Sequence, residues 1–249
     1  MGTQDRGGFG FSAAAALVGA GTMAVAWALD AARRRRGLHR LHRRTVDLLL
    51  NALTAEDPVT ARHSRRVADL SYALGEAAGM RGRDLRVLRV AALLHDMGKI
   101  DDRFFHIVHS RRPLSEEQRR EIRGHPHESA HILAPLEGEH PGLRQIVSAH
   151  HECWDGSGYP EGLAGEAIPL ASRVIALADA FDAMTQPRKY RPAKPAGEAI
   201  DELCEGAGAQ FDPRLAELVA APPVRDEWNE IAERCLFAER ERPDGRAEG

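Results

Sequence analysis

From Asp57 to about Val219 the apolar residues recur at the three- and four-residue spacing of a half-buried helix. No segment shows two-residue alternation with turn residues on both sides. Helix therefore follows helix. Pro58 suits a first turn, and the run then continues through His63, Val67, Leu70 and Leu74 toward Gly79. Leu85, Leu88, Leu93 and Leu94 form a second apolar face, and Ser115 before Glu116 and Glu117 reads as a capped helix start. A further helix after Pro126 carries His131. Pro169 and Leu170 open a long buried one, ASRVIALADAFDAMT, and shorter helices are predicted near Ala196–Cys204 and Pro213–Val219. The fold class is all-α, with no internal repeat.

The chemistry-bearing residues are set into this helical frame. Leu93-Leu94-His95-Asp96-Met97-Gly98-Lys99 ends an apolar run with a His-Asp pair and a lysine one turn on. Downstream, His150-His151-Glu152-Cys153-Trp154-Asp155-Gly156-Ser157-Gly158-Tyr159-Pro160 joins two imidazoles to a turn-rich loop. A single histidine on a helix is more often a packed or solvated side chain than a ligand. Asp179 changes the balance, because it lies between Leu177 and Phe181 on an otherwise apolar helix, where an unpaired carboxylate is costly to bury. A cation removes that cost, and Asp96 poses the same problem. His63, His95, Asp96, His125, His150, His151 and Asp179 thus form a candidate metal set. Mixed imidazole and carboxylate donors suit first-row ions such as Fe or Mn better than a structural tetrahedral zinc. One carboxylate can bridge two ions, which gives a hydrolytic site that activates water and clamps a phosphoryl group.

The spaced set His63, His95-Asp96 and Asp179 resembles the HD phosphohydrolase superfamily. His125-Pro126 and HHECWDGSGYP resemble its HD-GYP subfamily, the cyclic di-GMP phosphodiesterases. The similarity runs from about Leu53 to Pro213 and includes TARHSRRVA, LLHDMGKI, LSEEQRREIRGHP and GAQFDP. The resemblance implies that His63, His95, Asp96 and Asp179 hold one divalent ion. Asp96 would bridge to a second ion held by His125 and the His150/His151 pair. A third ion in some members uses a Glu one turn before the first His; Val59 stands there, so two ions are expected. By the same resemblance Asp96 and Lys99 are catalytic, with Lys99 on the substrate phosphate. Tyr159 would lie beside the guanine pocket, and Arg188 and Arg191 would be phosphate or guanine contacts. Glu152 is expected to orient a ligand histidine.

The implied reaction is metal-hydroxide attack on cyclic di-GMP, giving pGpG or, by a second hydrolysis, GMP. The alternatives are hydrolysis of another cyclic nucleotide and a non-catalytic cyclic di-GMP sensor. Two departures from the family pattern stand out. Cys153 replaces a basic residue, and Asp101-Asp102-Arg103-Phe104-Phe105 replaces a Gly-Ile-Pro segment beside the site.

At the N-terminus, residues 7–29 carry no charge and reach the roughly 20 residues that a bilayer-crossing helix needs. Arg33 to Arg36 follow at once. Basic residues flanking a span stay cytoplasmic, and a signal peptide would carry its charge ahead of the apolar run. The expected organisation is an anchor over 1–30, a basic linker helix over 31–56, a catalytic domain over 57–220 and a C-terminal helix and polar tail over 221–249. The expectation is a single pass through the inner membrane with the catalytic domain cytoplasmic, and the linker helix offers a surface for a homodimer. A net charge of -3 and 5% aromatic residues argue against a nucleic-acid polymer as partner. Cys153, Cys204 and Cys235 make no disulfide framework, in keeping with a reducing compartment.

Overall fold

The computed structural model describes residues 27–30, 33, 45–108, 110, 113–187 and 192–240, with side chains through 234. The chain divides into two units, Met1–Leu48 and Leu49–Gly249. In the first, residues 27–30, 33 and 45–48 are helical. Among the described residues no helix is long and apolar enough to cross a membrane. Residues 7–26 of the expected span lie outside the described residues.

The described part of the second unit is helical, as the periodicity predicts, with one isolated bridge between Ala207 and Phe211 in place of any strand. Helix α1 covers residues 45–56. It is followed by α2 (Pro58–Ala77), α3 (Gly82–Leu94), a 3-10 turn (Met97–Ile100), α4 (Asp102–Val108) and α5 (Glu116–Ile122). Then come α6 (His125–Ile132), α7 (Leu143–Ser148), α8 (Leu170–Thr185), α9 (Ala196–Glu205), α10 (Pro213–Ala220) and α11 (Pro222–Arg240).

Local chemistry sets several of these boundaries. Asp57 caps α2, its carboxylate accepting from the Val59 and Thr60 backbone N–H groups at 3.0 Å each, while Pro58 fills the position that needs no donor. Ser115 and Gln118 form a reciprocal capping box on α5.

The core lies where α2 meets α3, α8 and α11. Helix α8 buries Val174, Ile175, Leu177, Ala178 and Phe181, so its two carboxylates are carried on one of the best-packed elements of the molecule. Trp228 of α11 is fully buried. Its ring packs 4.8 Å from that of Phe181, and its Nε1–H donates to the Leu70 carbonyl at 3.1 Å. The C-terminal helix, set apart as residues 221–249 in the sequence reading, thus supplies a large side chain to the core of the domain, against the helix that carries His63 and the one that carries Asp179.

Candidate metal centre

Three of the candidate imidazoles are placed by one device. A helix end leaves carbonyls without an intrahelical donor. At the ends of α3, α5 and α7 such a carbonyl, three residues back, accepts from a histidine Nδ1–H. The pairs are His95 to Ala92 at 2.8 Å, His125 to Ile122 at 2.7 Å and His150 to Val147 at 2.6 Å. Donating from Nδ1 fixes the neutral tautomer, so each Nε2 presents a lone pair. All three Nε2 atoms are buried without a hydrogen-bond partner, and so is Asp96 Oδ1. Four buried acceptors facing one another are unstable unless a cation sits among them.

Asp96 lies at the focus. Its Oδ1 is 3.2 Å from His125 Nε2 and 3.9 Å from His150 Nε2; its Oδ2 is 3.5 Å from His95 Nε2 and 3.8 Å from His63 Nε2. Donor atoms cluster in two groups. One is Asp96, His125, His150 and His151; the other is His63, His95 and Asp179. Burial of Asp96 opposes its charge, but Lys99 and the surrounding histidines outweigh that and hold its carboxyl well below the usual range. Burial lowers the pKa of His95 and, with neighbouring imidazoles, that of His150; His151 falls to about 3. Ionised carboxylates beside neutral imidazoles are the donor set of a first-row transition-metal site, and the residues present fit two divalent ions.

The second group is held differently. His63, on α2, donates from Nδ1 to Asp182 Oδ2 at 2.7 Å, which leaves Nε2 facing Asp179 Oδ1 at 3.3 Å. Asp182 is itself gripped by Arg66, Nε to Oδ1 at 2.5 Å and Nη2 to Oδ2 at 3.0 Å. Burial works against a charged His63, yet its hydrogen bonds to Asp179 and Asp182 prevail and raise its pKa to about 10. Asp182 and Arg66 do not figure in the sequence reading. Asp182 carries the same signal as Asp179, a carboxylate on an apolar helix, and Arg66 lies one turn after His63.

Close backbone approach completes the frame. A Cβ on Gly98 would lie 2.4 Å from the His125 carbonyl oxygen, and the Gly98 N–H donates to Ser129 Oγ at 2.7 Å. The turn bearing Lys99 is thereby locked onto the helix bearing His125. A Cβ on Gly158 would lie 2.2 Å from the Cys153 nitrogen, so this loop closes on itself only with glycine there. Glu152 orients no histidine, contrary to the sequence reading. Its buried carboxylate accepts from the Glu161 and Leu163 N–H groups at 2.7 and 3.1 Å and so pins the loop. The GAQFDP segment braces it from the other side, through Trp154 N–H to Gln210 and Asp155 N–H to Ala209.

The structure thus brings His63, His95, Asp96, His125, His150, His151 and Asp179 together. Lys99 donates to Asp96 Oδ2 at 2.6 Å, and the Tyr159 ring lies 5.0 Å from that of His151, tilted by 31°. Val59 points to solvent, at 66% exposure. The segment after Lys99, where the sequence departs from the family pattern, forms α4, with Arg103 bound to Asp101 and Glu128. Arg188 and Arg191 lie outside the described residues.

A family profile described as HD domain matches residues 47–215. The cyclic di-GMP phosphodiesterase response regulator RpfG of Xanthomonas campestris pv. campestris is 33% identical over 179 residues, covering 70% of this chain and 46% of the relative. The 3'3'-cGAMP-specific phosphodiesterase 1 of Vibrio cholerae is 36% identical over 154 residues, covering 62% and 35%. The chain spans less than half the length of these curated relatives. The crystal structure of a cyclic GMP-AMP-specific phosphodiesterase of V. cholerae, V-cGAP3, aligns with a TM-score of 0.55 at 23% identity, covering 77% of this chain and 53% of that one, a likeness of fold. With its profile match across most of the chain and its ligand set assembled at one focus, the chain belongs to the HD domain family.

Proposed function

We propose that this chain is an HD-GYP-type phosphodiesterase that hydrolyses cyclic di-GMP to pGpG or GMP, using two divalent ions. The observation that carries the reading is the convergence of three buried, unpartnered Nε2 atoms on the Asp96 carboxylate, those of His125 and His150 at its unpartnered Oδ1 and that of His95 at Oδ2. Two ions held there, iron or manganese by the donor set, would supply an activated water and a clamp on the phosphoryl oxygens. Asp96 turns one oxygen toward each group and would serve both ions. Lys99, which neutralises Asp96 in the metal-free chain, is placed to turn its ammonium to a phosphoryl oxygen once cations take over that task. His151 and Tyr159 line the side on which the dinucleotide lies, and Arg188 and Arg191 add guanidinium contacts. Cyclic di-GMP is favoured by the name of the Xanthomonas relative. The name of the Vibrio relative supports 3'3'-cGAMP as the second reading.

Residues 7–29 anchor this catalytic body to the inner membrane, with the HD domain in the cytoplasm and the linker helix available for dimerisation. The uncharged run and the arginines after it support this, and so do Trp27 and Leu29, exposed apolar residues at its end. The test is turnover of cyclic di-GMP and 3'3'-cGAMP by the full chain in detergent, loaded anaerobically with Fe(II) or Mn(II). Faster turnover of cyclic di-GMP is expected. A preference for 3'3'-cGAMP would move the assignment to the second reading, and loading without turnover of either would refute it.

A further inference from the structure

Arg123 stands between the Ile122 carbonyl that orients His125 and His125 itself, so its backbone is tied to a candidate ligand. Its guanidinium lies over the Tyr159 ring, 5.1 Å from the centroid. Tyr159 is in turn tied to another ligand, its N–H donating to the His151 carbonyl at 3.2 Å and its ring tilted against the His151 ring. Arg123, Tyr159 and His151 thus form a ladder leading outward from the Asp96, His125, His150 and His151 group to the surface.

Three other arginines among the described residues are committed to carboxylates. Arg66 pairs with Asp182, Arg103 with Asp101 and Glu128, and Arg173 with Asp212. Arg123 is exposed, and among the described residues it has no carboxylate or carbonyl partner. A guanidinium laid on an aromatic face keeps its N–H edge free for a planar, bidentate anion. Its distance from the metal groups, two ring steps, suits a second anion rather than the one being cleaved.

We infer that Arg123, supported by Tyr159, binds the phosphate of the substrate that is not being hydrolysed. The inference rests on the proposed reading of the site as a cyclic-dinucleotide phosphodiesterase. It gives the enzyme a means to distinguish a cyclic dinucleotide from a simple phosphodiester, because only the former has a second phosphate.

The test uses the full metal-loaded chain and bis(p-nitrophenyl) phosphate, which has one phosphodiester and no second phosphate. Cyclic di-GMP and cyclic di-AMP are added as competing ligands. Arg123→Ala should raise the inhibition constants of both by roughly tenfold or more relative to the Michaelis constant for the small diester, the scale of a lost charge-assisted hydrogen bond. Arg123→Lys should recover part of the loss, since it keeps the charge without the fork. An unchanged ratio would overturn the inference. So would a loss confined to cyclic di-GMP, which would place Arg123 on the guanine base. If neither dinucleotide inhibits the wild-type chain while it cleaves the small diester, the substrate reading itself fails, a result distinct from failure of Arg123 alone.

Discussion

The two halves of the candidate metal centre are built by different means. The half containing His125 and His150 is oriented by main-chain carbonyls at the ends of α5 and α7. The half containing His63 and Asp179 is oriented by side chains, with Asp182 holding His63 and Arg66 holding Asp182. His95 belongs by position to the second half but shares the main-chain tether. A helix-end carbonyl cannot be removed by substitution and cannot move without unwinding its helix. A carboxylate on α8 can be replaced at will. The first half is therefore the rigid one, whereas the second is tunable through residues that never touch an ion.

Asp96 belongs to both halves, and its loss should have the largest effect. Asp96→Ala should bind neither ion tightly and lose activity by more than about a hundredfold, beyond the cost of removing a residue that merely supports a ligand. Metal content and turnover measured on one sample check this. The comparison breaks if Asp96→Ala keeps both ions.

Next in size are the single-half ligands. His150→Ala and His63→Ala should each retain about one of the two ions. Elemental analysis after gel filtration distinguishes this from collapse of the whole centre. Collapse in either variant would mean that the halves are not separable.

Asp182→Asn sharpens the contrast most directly, because it weakens the support of His63, and the Arg66 pairing behind it, without touching the other half. Affinity for one ion should fall by about 10- to 100-fold while the other is held unchanged. Isothermal titration with Mn(II) resolves the two. Equal weakening of both ions would show that Asp182 acts on the fold as a whole.

Trp228→Ala tests the scaffold beneath the second half, α2 and α8. Removing this buried ring from between α2 and α8 should cost about 3–5 kcal/mol of stability. The measurement is thermal or denaturant unfolding of the chain.

Much of this was legible in the sequence, and the reason is chemical. His95-Asp96 and His150-His151 are conspicuous because a carboxylate and paired imidazoles set against apolar runs are costly to bury without a cation. Asp179 is conspicuous because α8 is otherwise so apolar. What could not be read was the manner of holding. Knowing that Ala92, Ile122 and Val147 supply the orienting carbonyls requires knowing where each helix stops to within a residue, which periodicity does not give. Asp182 carried the same signal as Asp179, but sequence spacing does not say which carboxylate faces the centre and which faces His63 from behind. Glu152 was placed in the right neighbourhood and given the wrong task, since its partners Glu161 and Leu163 are backbone groups a loop away.

The most direct test of a two-ion centre bridged by Asp96 is electron paramagnetic resonance of the full chain titrated anaerobically with Mn(II). The account predicts about two tightly bound ions per chain and a spectrum of magnetically coupled manganese that disappears in Asp96→Ala. A single bound ion, or two ions without coupling, would contradict it.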